Sequence, residues 1–228
     1  GAKASASHTA SIAGDYPVTK ALFAEVGAVV VDSLEEFDDA LTTFALLRGK
    51  PCAGRRLGAV SNGGFECVAI ADNLGSLELA SFAPETIPRL LETFRKARIS
   101  EIVDVHNPID LTPTAADDAY DESFRAVLED PNVDCGIVGI VPLTGAMNTL
   151  AAGPLSHNED ILRPDSLAVR YGELMAKCGK PWIAVVDAGR LYDALSYELE
   201  GRGVPVFRTA DRALKMLNKW VSANSRQR

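Results

Sequence analysis

Cys135-Gly136-Ile137-Val138-Gly139-Ile140-Val141 is seven residues long, carries no charge and is rich in β-branched side chains. A second run of the same kind, Trp182-Ile183-Ala184-Val185-Val186, follows about forty residues later. Strands that lie half in solvent alternate polar and apolar residues, whereas strands covered by helices on both faces read as near-continuous apolar runs. The two runs are therefore expected as strands 133–141 and 182–187 at the centre of a sheet. Working outward, shorter apolar runs predict strands at 57–61, 77–80 and 204–207, with a sixth at 102–105. Helical patterns separate them, and strands alternating with helices mark a parallel α/β sheet.

The helix boundaries carry their own chemistry. Ser33 followed by Glu36 after the apolar Val31 is a capping box, and Leu34, Phe37, Leu41 and Phe44 continue it at helical spacing. Thr209 stands in the same relation to Ala213, Leu214, Leu217 and Val221, so the chain is expected to close on a helix and then fray through its polar last residues. Residues 1–31 read differently, as a small-residue loop, a helix over 16–26 and a short strand over 28–31. They do not make a domain alone, and predict either a segment of something longer or a subunit that packs on a partner. Residues 49–54 read as a linker and 142–164 as a polar loop with a short helix over the top of the sheet. The organisation expected is thus 1–31 as the tail of a preceding domain, 32–54 as helix and linker, and 55–228 as an α/β domain.

Composition narrows the function classes. The chain has 228 residues, 47% hydrophobic and 24% charged, enough for a substantial core and unlike a disordered chain. The net charge of -8, with basic residues scattered, argues against a nucleic-acid surface. No apolar stretch of about 18 residues and no leader pattern occurs, so no membrane partner is expected. The cysteines Cys52, Cys67, Cys135 and Cys178 form no metal-ligand spacing; Cys135 reads as a core thiol and the others as half-buried and reduced, which fits a cytoplasmic location. No metal site is expected within the chain.

Three segments could carry chemistry. His8 lies between Ser7 and Thr9 in a loop of small residues, with room for a phosphoryl group and hydroxyls to hold its oxygens. A neutral imidazole is a competent nucleophile near pH 7 because its ordinary pKa is about 6.5. The same residues also describe an exposed histidine in a terminal loop. Ser61-Asn62-Gly63-Gly64 ends a predicted strand and opens a helix, an arrangement in which backbone N–H groups face an anion and Ser61 and Asn62 can donate from their side chains. It lacks the dinucleotide and P-loop fingerprints, a tight turn would need the same glycines, and Glu66 in the first helical turn would oppose a phosphate. Third, His106-Asn107-Pro108-Ile109-Asp110-Leu111 is a stiff polar loop at the sheet's carboxyl edge, where α/β proteins bind ligands; Asn107 and Asp110 could equally serve only to hold its shape. Asp187-Ala188-Gly189-Arg190 could line the same edge but contains no second motif, His106 reads as a hydrogen-bonder rather than a catalyst, His157 falls in the 142–164 loop, and the Gly-x-Ser-x-Gly elbow of a hydrolase is absent.

Taken in order, these segments resemble the NDP-forming acyl-CoA synthetases, relatives of succinyl-CoA synthetase. Gly1-Ala2-Lys3-Ala4-Ser5-Ala6-Ser7-His8-Thr9 is similar to that family's GAKAAASHTG stretch, Ser61-Asn62-Gly63-Gly64 to its TNAGGPG loop, 107–111 to NPVDL, and Gly203-Val204-Pro205-Val206-Phe207-Arg208 to its closing GIPVFR. Ala10 stands where the family has Gly, and Phe65-Glu66 where it has Pro-Gly, which weakens the phosphate-binding part of the likeness. The resemblance implies a flavodoxin-like three-layer fold, a parallel sheet with helices on both faces, carrying an N-terminal loop-helix appendage. It implies His8 as the phosphorylated residue, with Ser7, Thr9, Asn107 and Asp110 supporting and Ser61 to Gly64 binding phosphate. It further implies a reaction interconverting acyl-CoA, NDP and phosphate with acid, NTP and CoA. The CoA-binding and ATP-grasp parts would be partners, bringing Mg2+, nucleotide and CoA; the substrates would be a small carboxylic acid and its acyl-CoA, and the assembly an oligomer. A non-catalytic subunit-docking domain, or an acyltransferase-type relative, would share most of these features.

Overall fold

The structure, a computed structural model, describes residues 15–153 and 156–225. In chain order these hold α1 (Tyr16–Glu25), α2 (Leu34–Leu46), β1 (Arg56–Ser61), α3 (Gly64–Asp72), β2 (Glu78–Leu79), α4 (Thr86–Lys96), β3 (Ile109–Asp110), α5 (Asp117–Glu129), β4 (Cys135–Ile140), α6 (Leu167–Lys177), β5 (Trp182–Val186), α7 (Asp193–Gly201), β6 (Val206–Phe207) and α8 (Ala210–Ser225). The strands form one parallel sheet in the order β2-β1-β4-β5-β6, with β3 on the same edge of β1 as β2. The two apolar runs are its centre: Gly136 registers on Trp182 and Ile140 on Val186, while Leu57 registers on Cys135. Every residue of β4 and β5 is buried, as continuous apolar runs require. The fold is α/β and flavodoxin-like, with the strand order that class shares.

Helices cover both faces. α3 and α8 pack together under β1, β5 and β6, and α2 packs on α8; α4, α5, α6 and α7 line the other face in sequence. On that second face Phe124, Tyr171 and Trp182 form a three-way edge-to-face cluster with centroids 5.2 to 5.8 Å apart. Aromatic edges carry partial positive charge and faces partial negative charge, so this arrangement adds to plain area burial. The α2 cap is as expected: Ser33 Oγ accepts from the Glu36 N–H at 3.1 Å, and Glu36 reaches back to the Asp32 N–H. α2 is fastened to α8 by Arg212 on Asp39 and by the Phe44 ring against Trp220, centroids 5.0 Å apart.

Four expectations are corrected. The sixth strand is not at 102–105 but at Ile109–Asp110, where Ile109 pairs with Val60 and Asp110 with Ser61. Ile102 is exposed and Asp104 interrupts the run, whereas Ile109 and Leu111 are fully buried, so burial selected the later segment. Residues 28–31 pair with no strand among the described residues; the Val30 carbonyl instead accepts from Lys219 Nζ at 2.8 Å. The described residues of 142–164 contain no helix, because two carboxylates use the N–H groups a helix would need. Glu159 accepts from Thr149 N, Thr149 Oγ1 and Leu150 N, and Asp117 accepts from Asn148 and Leu167. Finally, Cys52 and Cys67 are buried like Cys135; only Cys178 is half-buried, and all four are free thiols. The linker at 49–54 is pinned as well, since Lys50 Nζ donates to the Met175 and Cys178 carbonyls at the end of α6.

Candidate functional site

The chain leaves β1 through α3 on one face and leaves β4 through α6 on the other, so the carboxyl ends of these neighbouring strands diverge. Such a switch point opens a crevice, and open α/β sheets bind ligands there. Ser61-Asn62-Gly63-Gly64 occupies its β1 side and Val141-Pro142 its β4 side. Asn62, buried, spans it: its Nδ2 donates to the Val141 carbonyl at 3.0 Å and its Oδ1 accepts from the Val141 N–H at 2.9 Å. The side-chain amide thus replaces a rung of sheet where the two strands separate.

This corrects the expected donor set. Asn62 is spent on Val141, and Ser61, fully buried, takes the Gly63 N–H on its Oγ at 3.2 Å. Both side chains are buried and engaged within the fold. The groups left are the N–H of Gly64 and of Phe65 in the first turn of α3, which have no partner among the described residues. Glycine at 63 and 64 is a matter of space: a Cβ on Gly63 would lie 3.0 Å from Val141 Cγ2, and one on Gly64 3.2 Å from Asp110 Oδ2. The ledge is therefore a bare helix start, with the helix dipole adding to two free donors.

Asn107 and Asp110 both lie beside β1. Asn107 plugs the fork where β1 passes from β2 to β3: its Oδ1 accepts from Ala59 N at 3.0 Å while its Nδ2 donates to the Leu57 and Ala80 carbonyls at 2.7 and 2.9 Å. Asp110 Oδ1 accepts from the Thr112 N–H at 2.9 Å, and its other oxygen flanks Gly64. Ser7, His8 and Thr9 lie outside the described residues, so their distance from the ledge is not part of the geometry. His157 accepts from Glu159 N on its Nδ1.

Two ionisable groups behind the ledge are displaced from their ordinary values. Burial, and then the nearby Asp187, push the Glu66 carboxyl up to about 7. Burial, followed by Asp110 and Glu66, pushes the Cys67 thiol up to about 12, which makes it a poor nucleophile. Tyr120, which no sequence signal singled out, donates from its hydroxyl to the Gly139 carbonyl of β4 at 2.7 Å, behind the same site. Among the described residues no three His, Cys, Asp or Glu side chains gather to hold a metal. A cavity of about 700 Å3 opens at the opposite, amino edge of the sheet, lined by Arg56, Leu128, Leu174 and Lys180 among others. Its Arg56 is paired with Asp134, and its Lys180 donates to the Asp130 carbonyl. No helix among the described residues is long and apolar enough to cross a membrane.

Comparison with known proteins adds to this geometry. Residues 1–44 match the model of the succinyl-CoA ligase like flavodoxin domain. The chain is 30% identical over 210 residues to the alpha subunit of acetate–CoA ligase (ADP-forming) II of Pyrococcus furiosus, covering 91% of this chain and 41% of that one. It is 29% identical over 233 residues to acetate–CoA ligase (ADP-forming) I of Archaeoglobus fulgidus, covering 100% of this chain and 30% of that one. In structure it resembles the dinucleotide forming acetyl-coenzyme A synthetase 1 of Ca. Korarchaeum cryptofilum, solved with phosphate and ADP, at a TM-score of 0.75 and 26% identity over 99% of this chain and 45% of that one. The chain spans less than half the length of each of these relatives.

Proposed function

From a chain that is, by sequence and by fold, a relative of the NDP-forming acyl-CoA synthetases, we propose a segment of such an enzyme that carries the phosphoryl group on His8 and holds oxyanions at the ledge of α3. The observation that carries this reading is the pair of unpartnered N–H groups at Gly64 and Phe65, placed at the switch point of a flavodoxin-like sheet.

A phosphate oxygen attacks the thioester carbonyl of acyl-CoA and the C–S bond breaks, giving acyl phosphate and CoA. A neutral His8 nitrogen attacks phosphorus, the acyl oxygen–phosphorus bond breaks, and the carboxylic acid leaves as its anion. An oxygen of the NDP then attacks the same phosphorus, the N–P bond breaks, and NTP forms. Charge on the transferring group is met by fixed donors, the role assigned to Gly64 and Phe65. A histidine that serves two centres needs small neighbours, which Ala4, Ser5, Ala6, Ser7, Thr9 and Ala10 supply in the sequence around His8. Mg2+, nucleotide and CoA are assigned to the CoA-binding and ATP-grasp parts, and the cytoplasm to the whole, where free thiols persist.

Residues 1–31 are read as the tail of a preceding flavodoxin-like domain, with the family match continuing into α2. The apolar side chains Val18, Leu22 and Val26 of this segment, and Leu34, Phe37 and Leu41 along α2, stay exposed, as a surface made to be covered would. A docking role without chemistry would use the same surface, so activity distinguishes the two. The full-length protein, or the reconstituted complex, is expected to form ATP from ADP and phosphate only when acyl-CoA is added, read by coupled luminescence. An assembled complex that forms no nucleoside triphosphate from any short acyl-CoA with ADP or GDP would leave the docking role or an acyltransferase-type relative.

A further inference from the structure

We propose that Glu66 makes oxyanion binding at the α3 ledge proton-linked: its carboxyl must carry a proton while an oxyanion rests on the Gly64 and Phe65 N–H groups. The proposal rests on the ledge reading above and adds to it a positioning residue that the sequence presented only as an obstacle.

Glu66 is the residue after Phe65, in the first turn of α3, and is 1% exposed. A carboxylate at this helix position ordinarily reaches back to the N–H ahead of the helix. Here that N–H, on Gly63, is already given to Ser61 Oγ, and Glu66 turns inward toward β4. Room for it comes from Gly139: a Cβ there would lie 2.6 Å from Glu66 Cγ and 2.8 Å from Ser61 Oγ. In that position Glu66 Oε2 is buried and has no hydrogen-bond partner among the described residues. A buried, unpartnered carboxylate oxygen is costly, whereas a neutral carboxyl is tolerated there.

The groups around it do nothing to favour its charge. Asp187 beyond β5 acts on it through space, Cys67 on its own helix and Tyr120 on α5 are held in their neutral forms, and Asp110 of β3 flanks Gly64 on the other side. Arg212 and Lys215 of α8, the helix packed against α3, are engaged with Asp39 and Glu36 of α2. Among the described residues no cation acts on Glu66, so an oxyanion on the ledge would meet Asp110 and Asp187, and an ionised Glu66 would add a third negative charge behind the donors. Protonation of Glu66 removes the one charge of the three that burial already disfavours. By reciprocity, an anion that prefers the protonated form must raise the proton affinity of Glu66.

The sign follows from the acid form being the competent one. With a midpoint near 7, Glu66 is about nine-tenths neutral at about pH 6 and about one-tenth neutral at about pH 8, so apparent affinity falls by up to about tenfold between them. Sulfate is the probe, since unlike phosphate it keeps its charge over this range. Binding to this chain is read from amide shifts of Gly64 and Phe65, alongside the titration of the Glu66 carboxyl carbon. The expected result is weaker sulfate binding at the higher pH in the parent, a flat profile at the parent's low-pH affinity in Glu66→Gln, and an upward move of the Glu66 midpoint when sulfate is added. Sulfate bound at the ledge with a flat parent profile, or with a profile that Glu66→Gln reproduces, would overturn the proposal while leaving the ledge intact. A Glu66 midpoint that sulfate leaves in place does the same. No shift at Gly64 and Phe65 at either pH in either protein would overturn the ledge reading and this proposal together.

Discussion

Replacing His8 with Ala in the full-length protein is expected to cut acyl-CoA-dependent ATP formation by at least about 1,000-fold, the scale on which loss of a covalent nucleophile acts. The first step should survive. In the proposed reaction acyl phosphate forms when phosphate attacks the thioester, with His8 taking no part in that bond exchange; hydroxylamine trapping of the acyl group is therefore expected at a rate close to the parent's. A variant that loses both steps equally would point to a role for the His8 loop in building the first centre. A variant that keeps both would remove His8 from the chemistry altogether.

Asn62→Ala is the second large effect, and it falls on stability. The substitution leaves the Val141 N–H and carbonyl, now held at 2.9 and 3.0 Å, without their partners at a half-buried strand end. Each unsatisfied backbone group of this kind costs on the order of 1 to 3 kcal/mol, so a loss of about 3 kcal/mol is expected in urea unfolding. Asn62→Asp separates the two bonds, because a carboxylate still accepts from the Val141 N–H and cannot donate to its carbonyl. Burying that carboxylate at a site 2% exposed, against the Val141 carbonyl, should make it at least as destabilising as alanine. Equal midpoints for all three would mean that the two strand ends are held together by something other than this amide. The effect reaches the site as well, since the Asn62 amide fixes where β1 stops and α3 begins.

How far this could be read in advance depended on the kind of signal. β4 and β5 are strands buried on both faces, and continuous apolar runs of that sort leave few alternatives, so the sheet centre was legible. So was the start of α2, whose capping box is a local pattern of a few residues. β3 was not, because it is two residues long and is chosen by what it pairs with, Val60 and Ser61, rather than by its own composition. The Asn107 plug shows the same limit: a polar side chain that completes a sheet at a fork cannot be told from a loop residue until the fork is seen. At the ledge the sequence located the strand-to-helix turn and mistook its donors. Ser61 and Asn62 look like ligand groups by chemistry, yet burial turns both inward and leaves the backbone of Gly64 and Phe65 as the open surface. Glu66 read as a charge opposed to phosphate because a sequence carries charge at its ordinary pKa, and only its burial in the fold, with Asp187 nearby, displaces it.

Phosphoryl transfer through a histidine of this chain leaves a covalent trace. Its most direct measurement is to incubate the full-length protein with γ-labelled ATP and Mg2+ and to locate the label by its chemistry and by peptide mass. The account predicts a label that is lost in acid, stable in base, placed on the peptide containing His8 and absent from His8→Ala. Equal labelling of His8→Ala and the parent would contradict it.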